Sequence, residues 1–197
     1  GLKYKLNLGL NYGLYTGKTY LGIFEMDNRS NLRQRLSMNR NLNTEFLTEN
    51  TLTYEKKFSN DYSINLLAGY TEQSGDFSSM TGSRQDFPSN DIQVFDAGTG
   101  PSVIGGNRAE WALRSYLGRA NITFFNKYLL TATIRRDGSS RFGKENKYGN
   151  FPSFALGWNV DREKFMDAIP AISSLKLRAS WGQLGNQEIG NYESRTT

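Results

Sequence analysis

The sequence predicts an all-β protein, an antiparallel transmembrane β-barrel segment of about seven long strands with short periplasmic turns and long extracellular loops. Three observations lead to this prediction. Apolar and polar residues alternate along several segments, short connections alternate with long ones, and aromatic residues collect near the predicted strand ends. Alternation with a period of two gives a strand two chemically different faces, as a membrane wall requires.

The first segment, residues 2–14, shows the alternation most clearly. Every second residue is Leu or Tyr, and Lys, Asn or Gly lies between them. This run is longer than an ordinary strand and has the length, about 9–11 residues or more, that a tilted strand needs to cross a membrane. The same pattern predicts six further strands, and it is weak in the first of them: residues 44–57, 62–72, 114–124, 128–136, 153–160 and 175–183.

The predicted strands are joined by connections of two kinds. Tight turns are expected at residues 59–61 and 126–127, and long loops rich in polar residues and glycine are expected over residues 16–43, 74–111 and 137–150. In outer-membrane barrels the short turns face the periplasm and the long loops face the outside. The alternation of connection lengths therefore predicts which end of each strand faces outward.

The last connection, residues 161–174, is predicted to contain a short helix. Asp161 is positioned to cap its first turn, and Pro170 would end it. The apolar side of this helix would consist of Phe165, Met166 and Ile169.

Aromatic residues are predicted to mark two levels along the strands. The chain contains 11 Tyr, 12 Phe and 3 Trp. The level beside the tight turns consists of Phe58, Tyr62, Phe124, Phe125 and Tyr128. The level near the opposite strand ends consists of Tyr12, Tyr70 and Tyr116. Amphipathic rings sit well at the depth of lipid headgroups, so two such levels favour a membrane wall.

Composition excludes several classes of protein. The chain of 197 residues contains no Cys and no His, which removes disulfides, thiolate metal sites, zinc sites built on His and Ser-His triads within it. No apolar run is long enough for a transmembrane helix, and no apolar run follows Gly1 as a signal peptide requires. The net charge is +5, but the basic residues are interleaved with acids, which favours a solvated surface over a nucleic-acid site. We expect no enzyme, no cofactor and no metal site.

Two short motifs are interpreted as structural. Gly17-Lys18-Thr19 looks like the end of a phosphate-binding loop, but Tyr12 stands where that motif requires a glycine and no helix pattern follows. The run from Asp137 to Arg141 suggests a calcium or catalytic site. A turn in which Gly, Asp and Ser satisfy local backbone groups is the better interpretation of this run.

Several blocks of residues between 115 and 190 occur in an order and spacing typical of one family. They are Tyr128-Leu129-Leu130-Thr131, Arg135-Arg136-Asp137-Gly138-Ser139-Ser140-Arg141-Phe142-Gly143, Phe151-Pro152-Ser153, Leu156-Gly157-Trp158, Leu175-Lys176-Leu177-Arg178-Ala179-Ser180-Trp181-Gly182 and Gly185-Asn186-Gln187. On these blocks the chain resembles the SusC/RagA family of TonB-dependent transporters. The resemblance extends upstream to residues 49–54 and 67–70, and it is weakest in residues 16–43 and 74–110.

The resemblance implies a location, a function and partners. Transporters of this family form multi-pass barrels of about 22 strands around a plug in the outer membrane. Residues 1–197 would be part of such a barrel, without the plug and the C-terminal strands. The function implied is active uptake of glycans or oligosaccharides, or of peptides. The partners implied are a SusD-like surface lipoprotein that acts as a lid, the TonB-ExbB-ExbD complex through the plug, the substrate and outer-membrane lipid, with no nucleic acid.

The resemblance also defines the candidate residues. The family signature, expected to be structural, consists of Arg135, Asp137, Gly138, Ser139, Ser140, Arg141, Phe142, Gly185 and Asn186. Trp111 and Tyr148 are candidates in outer loops for stacking on sugar rings, and packing in a girdle or a loop is the alternative. Polar side chains expected to face the barrel interior are Lys3, Lys5, Arg119, Arg135, Lys176 and Arg178.

A second class of protein fits the alternation pattern as well. Soluble β-sandwiches and secreted adhesin-like binding modules are also built from alternating strands. In those proteins the apolar face of each sheet points into a core, whereas in a membrane barrel it points to lipid. The two classes therefore differ in whether the apolar face of the sheet is covered by protein.

Overall fold

A computed structural model describes residues 1–143, 147–169 and 171–185. Within these residues the chain forms nine β-strands and three short 3-10 turns, with no α-helix. The strands are β1 (Leu2–Leu21), β2 (Phe24–Met26), β3 (Arg29–Asn31), β4 (Arg35–Lys57), β5 (Ser63–Gln85), β6 (Ser102–Phe124), β7 (Tyr128–Ser139), β8 (Tyr148–Asn159) and β9 (Lys176–Gly182). The 3-10 turns span Phe95–Ala97, Val160–Arg162 and Lys164–Ala168.

Seven of the strands form one sheet. Their order is β1-β4-β5-β6-β7-β8-β9, while β2 and β3 pair antiparallel as a separate hairpin. Each strand of the sheet lies beside the strand that precedes or follows it in the same sheet, and the pairs from β6 to β9 are antiparallel. This order is the up-and-down arrangement from which barrel walls are built. The predicted all-β fold with seven strands in one sheet is confirmed.

The predicted loops are too long. β1 continues to Leu21 and β4 already begins at Arg35, so the loop expected over residues 16–43 is largely strand and also contains β2 and β3. The alternation pattern fails here because residues 16–19 are Thr, Gly, Lys and Thr, which are not apolar on either face. Pairing with neighbouring strands depends on backbone groups, which every residue but proline supplies in full.

The second long loop shows the same error. β5 continues to Gln85 and β6 begins at Ser102, so much of residues 74–111 is strand. The third loop, expected over residues 137–150, is shorter as well, because β7 ends at Ser139 and β8 begins at Tyr148. The tight turns predicted at residues 59–61 and 126–127 are confirmed, since these residues lie between consecutive strands of the sheet.

The predicted helix over residues 161–174 is wrong. Two 3-10 turns occupy its first half, and neither is capped by a side chain. Asp161 lies inside the first turn instead of capping it, and its backbone N–H donates to the Leu175 carbonyl oxygen at 3.2 Å. Of the expected apolar side, Met166 is buried, whereas Phe165 and Ile169 are exposed. Pro170 lies outside the described residues.

The chain divides into two compact units. Unit 1 comprises residues 1–9, 46–74 and 111–197, and unit 2 comprises residues 10–45 and 75–110. Both have a small core among the described residues. The buried apolar side chains are Val160 and Met166 in unit 1, and Leu36 and Phe87 in unit 2. Most large apolar side chains are exposed, so burial within this chain is not what holds the strands together.

The turn between β6 and β7 has an unusual backbone that neighbouring groups hold in place. Phe125 and Asn126 both adopt positive φ, at 52° and 55°. The Asn126 N–H donates to the Asp61 carbonyl at 3.0 Å, and the Asn126 carbonyl accepts from Asn159 Nδ2 at 3.2 Å and from an Arg162 guanidinium nitrogen at 2.9 Å. Three segments of unit 1 therefore fix one turn.

Glu163 joins the same turn to β8. Its carboxylate accepts hydrogen bonds from Lys127 Nζ at 2.8 Å, Tyr128 Oη at 2.7 Å and Trp158 Nε1 at 3.1 Å. The hydrogen bond from Lys127, followed by those from Tyr128 and Trp158, lowers the pKa of Glu163 from 4.5 to about 2. Each of these donors favours the charged carboxylate over its protonated form.

Replacing Asn126 tests the turn. We expect Asn126→Val to lower the free energy of unfolding by about 1–2 kcal/mol, because a β-branched residue is strained at positive φ. Asn126→Gly should keep the wild-type stability, since glycine adopts positive φ freely and the backbone hydrogen bonds remain. Urea unfolding of the receptor that carries this chain, followed by tryptophan fluorescence, measures both variants. Equal stability of the two variants would contradict the strained turn.

Replacing Glu163 tests the carboxylate cluster. Because the folded pKa lies below 4.5, the charged carboxylate stabilises the fold above that pH and loses its effect as the pH falls through about 2. We expect Glu163→Gln to unfold at lower urea than the wild type at neutral pH, with the difference closing as the pH approaches about 2. Asp161→Asn, two residues away, removes a carboxylate outside this cluster and is the control, which should unfold at the same urea concentration as the wild type at neutral pH. A gap between Glu163→Gln and wild type that is the same at all pH values would refute the role of the charge.

Candidate functional site

Strand register defines an apolar face in unit 1. Ile134 on β7 pairs with Gly118 on β6 and with Pro152 on β8, and Phe154 pairs with Trp181 on β9. Paired residues in neighbouring strands share a face, as do residues two apart along a strand. We call this the apolar face, and its members are Leu2, Leu52, Tyr54, Leu66, Ala68, Ala120, Leu130, Ala132, Ile134, Phe154, Leu156, Leu177, Ala179 and Trp181.

The apolar face is open. Ile134 is 56% exposed, Phe154 51% and Trp181 61%, although Phe154 and Trp181 stack on each other with centroids 6.3 Å apart. A large apolar side chain left in water forgoes about 1.5–3 kcal/mol relative to burial. A face of this size that no part of the described chain covers is typical of a surface that meets lipid or another protein.

β1 carries the longest exposed apolar row. The seven Leu and Tyr side chains at even positions from Leu2 to Leu14 are all exposed, from 48% for Leu6 and Leu14 to 71% for Leu10. Polar residues occupy the positions between them, and one of these, Asn7, donates from Nδ2 to Glu49 on β4 at 3.1 Å. The strand thus separates an apolar side from a side that makes polar contacts with its neighbour.

The opposite face of unit 1 carries arginines beside some apolar side chains, such as Leu117 and Phe151. Arg119 pairs with Thr133, Arg135 with Leu117 and Phe151, and Arg178 with Gly157. These register positions lie one residue away from those of the apolar face, so their side chains point to the other side of the sheet. The three arginines predicted to face the barrel interior, Arg119, Arg135 and Arg178, therefore share one face of the sheet.

Aromatic rings cluster beside the tight turns of unit 1. The Tyr62 and Phe125 rings meet edge to face at 4.9 Å, which joins the two tight turns. The Tyr128 and Trp158 rings stack at 6.4 Å, and Phe165 meets the Trp158 ring edge on at 6.5 Å. These contacts join residues that were predicted to lie in separate turns and in a short helix.

The second aromatic level lies in the middle of the strands. Tyr70 and Tyr116 are neighbours with centroids 5.3 Å apart. The prediction that they lie near strand ends is wrong, because β5 continues to Gln85 and β6 begins at Ser102. Tyr12 likewise lies within β1.

The family signature forms the end of the β6–β7 ladder and the turn that follows it. Arg135 Nε donates to both Asp137 carboxylate oxygens, at 2.7 and 2.8 Å, and an Arg135 terminal nitrogen donates to Ser115 Oγ at 3.2 Å. Ser140 exchanges hydrogen bonds with Ala112, since its N–H donates to the Ala112 carbonyl at 2.9 Å and its Oγ accepts from the Ala112 N–H at 2.8 Å.

The rest of the signature closes the turn. Ser139 is buried, its Oγ accepts from the Arg141 N–H at 3.2 Å, and its carbonyl accepts from the Phe142 N–H at 3.4 Å. Gly138 lies directly under the Tyr148 ring, where a Cβ would collide with the ring. Gly185 lies against the Phe151 ring in the same way. Asn186 is outside the described residues.

Trp111 and Tyr148 lie on strands and not in outer loops as predicted. Trp111 belongs to β6, and Tyr148 is the first residue of β8. Each ring has a guanidinium over it: Arg141 lies 5.7 Å from the Trp111 centroid and Arg136 lies 4.8 Å from the Tyr148 centroid. Tyr148 pairs with Gly138, and Gly138 pairs with Arg114, so Tyr148 and Arg114 share a face. Trp111 is an odd number of residues from Arg114 on the same strand, so the Trp111 and Tyr148 rings lie on opposite faces.

Unit 2 contains a cavity that the sequence did not reveal. It has a volume of about 670 Å³ and is lined by residues of β1, β4, β5 and β6 and of the 3-10 turn at Phe95–Ala97. Gly17 and Lys18, from the motif interpreted as structural, are among its lining residues. Elsewhere in unit 2, Arg33 forms an ion pair with Asp86 at 2.6 Å. The hydrogen bonds that Arg33 donates lower the pKa of the Asp86 carboxyl.

Two kinds of feature are absent from the described residues. No helix among them is long and apolar enough to span a membrane. No group of three or more acidic side chains among them is arranged to hold a metal ion. The candidate functional surfaces are therefore the two faces of the sheet and the cavity of unit 2.

Comparison with known proteins shows what the chain is similar to. A TonB-dependent receptor of Formosa agariphila is 35% identical over 199 residues, which cover 98% of this chain and 19% of the relative. The TonB-dependent receptor SusC of Bacteroides thetaiotaomicron is 52% identical over 79 residues, 40% of this chain and 8% of SusC. No protein-family model matches the chain. The chain thus spans less than a fifth of the length of these relatives.

Solved structures show the same fold. The RagAB peptide transporter superimposes with a TM-score of 0.87 at 22% identity, covering 98% of this chain and 22% of that one. The RagAB peptide importer in its closed-closed state superimposes with a TM-score of 0.86 at 23% identity, covering 98% and 21%. The chain belongs to the TonB-dependent receptors of the SusC/RagA type and corresponds to a segment of their β-barrel.

Proposed function

We propose that the chain forms part of the wall of an outer-membrane barrel that actively imports nutrients, a multi-pass protein whose strands cross the membrane. The observation that carries this proposal is the pair of unlike faces in unit 1. The apolar face is exposed and suits lipid, whereas the opposite face bears Arg119, Arg135 and Arg178 and suits a wet interior or a plug.

The aromatic levels support the same placement. The rings of Tyr62, Phe125, Tyr128 and Trp158 beside the tight turns would lie at the periplasmic headgroups. The rings of Tyr70 and Tyr116 would lie at the outer headgroups. Strand residues beyond Tyr70 and Tyr116 would then stand outside the membrane, which explains why alternation is weak there.

The proposed partners follow from the relatives. RagAB is named as a peptide transporter and SusC as a TonB-dependent receptor. We assign to the whole protein a SusD-like lipoprotein lid, TonB-ExbB-ExbD acting through a plug, and glycans, oligosaccharides or peptides as substrates. This segment contributes wall and outer surface, and no step of chemical conversion is assigned to it.

The signature residues have a structural role in this proposal. The hydrogen bonds of Ser139 and Ser140 join the end of β7 to the turn after it and to Ala112 of β6, and Arg135 is paired with Asp137. Side chains hydrogen-bonded in this way are suited to holding the end of a strand in one conformation. The Trp111 ring is covered by Arg141 in the turn after β7, and the Tyr148 ring is covered by Arg136 on β7, which favours packing over stacking on sugar rings.

A soluble sandwich or adhesin-like module accounts less well for the molecule. A sandwich buries the apolar face of one sheet against a second sheet. The described residues form one seven-stranded sheet and one short hairpin, and the apolar face is open.

Arginine substitutions on β1 test the membrane wall. Leu8 lies at the middle of the apolar row and is 66% exposed, so Leu8→Arg should lower the free energy of unfolding in lipid by about 2–4 kcal/mol. Asn7→Arg is the matched control, because it faces the other side and can pair with Glu49. It should leave stability unchanged. Urea unfolding of the whole receptor in lipid vesicles measures both variants, and tolerance of Leu8→Arg equal to that of Asn7→Arg would exclude a lipid-facing row.

Uptake tests the transport function itself. Cells that express the whole receptor should accumulate labelled oligosaccharide or peptide, and loss of TonB or of the proton-motive force should abolish the accumulation. The two classes of substrate are offered separately, so the assay also identifies the cargo. Uptake that persists at the wild-type rate without TonB would overturn active import.

A further inference from the structure

The cavity of unit 2 lies well beyond the part of the strands that the proposed wall places in the bilayer. On β5, Met80 of the cavity lining is ten residues past Tyr70, whose ring is assigned to the outer headgroups. At about 3.3 Å per residue this separation is about 33 Å along the strand. The cavity is therefore open to the aqueous medium outside the membrane.

The cavity also lies on the outer side of the sheet. Leu10, Tyr12 and Leu14 are exposed at alternate positions of β1, and Thr16 and Lys18 continue that phase into the cavity lining. Alternate residues of a strand share a face, so the Lys18 side chain points to the side that carries the apolar row. The barrel interior is on the opposite side. A ligand in this cavity would therefore stay out of the path of imported cargo.

Positive charge dominates the polar part of the lining. It consists of Lys18, Arg40 and Arg84 against a single carboxylate, that of Asp96. Among the ion pairs of the described residues, none involves any of the three cations. Arg84 Nε is buried and has no hydrogen-bond partner within the described chain. A buried donor without an acceptor is unfavourable, so an anion that accepted from it would stabilise this region.

The remaining surface of the cavity is aliphatic. Met38 is 40% exposed, Met80 65% and Ile104 80%, and all three line the cavity. Methionine is flexible and adapts to apolar groups of different shape. A sugar would leave hydroxyl groups without partners against such a surface, whereas an apolar side chain would be buried there. The lining thus favours a ligand with an anionic group and an apolar group.

A covering turn, held at its base, shapes the cavity in advance. The Thr99 N–H and Oγ1 donate to the Asp86 carbonyl at 2.9 and 3.1 Å. The Asp86 carboxylate accepts from Arg33 at 2.6 and 2.8 Å. Between these anchored ends, the Phe95 ring lies over Gly82, where a Cβ would come within 3.2 Å of the ring. A site that is already formed loses little entropy when a ligand binds.

We infer that the cavity of unit 2 binds the carboxylate end of a short peptide whose last side chain is apolar, at a site separate from the transport path. Its exposure to the outside medium rests on the proposed wall. Lys18, Arg40 and Arg84 suit the terminal carboxylate, because guanidinium groups pair with carboxylates through two hydrogen bonds. Asp96 supplies an acceptor for a peptide N–H and disfavours a dianion such as phosphate. The volume of about 670 Å³ is typical of a small-ligand site.

Methyl NMR of the whole receptor in phosphatidylcholine nanodiscs, labelled with ¹³C at its methionine methyl groups, tests the site. The signals of Met38 and Met80 report on the cavity, and the signal of Met166, buried in unit 1, is the internal reference. Met38→Leu, Met80→Leu and Met166→Leu assign the three signals. The probes are N-acetyl-Leu-Phe with a free carboxylate, its C-terminal amide, inorganic phosphate and digalacturonate.

The variants remove charge inside and outside the cavity. Lys18→Gln combined with Arg40→Gln removes two exposed cations and leaves the half-buried Arg84 in place. Arg84→Gln alone tests the buried donor. The matched control, Lys57→Gln combined with Lys164→Gln, removes two exposed cations of unit 1.

We expect the free-carboxylate peptide to shift the Met38 and Met80 signals of the wild type and the control, and to leave Met166 unchanged. The amide should bind about tenfold or more weakly, and the peptide should bind the double variant and Arg84→Gln more weakly by a similar factor. Uptake by the double variant should equal that of the wild type, because the cavity lies outside the transport path.

Three results would overturn the site. They are equal affinity of the double variant and the control, equal affinity of the amide and the free acid, and an equal shift with phosphate or digalacturonate. A receptor that imports its substrate through TonB but shows any of these results refutes only this inference. A receptor that fails to enter lipid or to import through TonB refutes the proposed function.

Discussion

Backbone hydrogen bonding between neighbouring strands is the constraint on which the rest of the molecule depends. In a bilayer core every peptide group must find its partner within the protein. The order β1-β4-β5-β6-β7-β8-β9 supplies these partners strand by strand. Because backbone pairing between strands holds the sheet together, the described residues bury only a few side chains, such as Leu36 and Met166. Both faces of the sheet are then free to meet different surroundings.

The fold was predictable where side chains report the surroundings of the strand. Residues 2–14 predict a strand because apolar and polar residues alternate along them, which gives the strand one apolar and one polar side. Thr16 to Leu21 continue the same strand, but they give no signal because ladder pairing is independent of side-chain type. The predicted helix failed for a related reason. Phe165, Met166 and Ile169 have a helical spacing, yet the backbone of Val160 and Asp161 is held by Leu175 in another arrangement.

The candidate surfaces were predictable only in part. Family blocks located the signature from Arg135 to Phe142, but the hydrogen bonds of those residues involve Ala112 and Ser115, which are 28 and 20 residues away from their partners in sequence. Only the register between β6, β7 and β8 shows that Trp111 and Tyr148 lie on opposite faces of the sheet. The hydrogen bonds to Glu163 could not be predicted from its local sequence, because its three donors come from β7, β8 and the turn before β7. Contacts of this kind are absent from local sequence patterns.

Pairing between chain neighbours has a consequence for how the wall assembles. Closing a short connection costs less entropy than closing a long one, and local pairings form faster. β6 and β7 are joined by Phe125, Asn126 and Lys127 alone, and β8 follows after a modest connection. The hairpin of β6 and β7 is therefore the natural nucleus. β5 and β8 then pair with the free edges of this hairpin, and the sheet grows outward one strand at a time. The edge of each new strand is therefore unpaired only briefly before the next strand pairs with it.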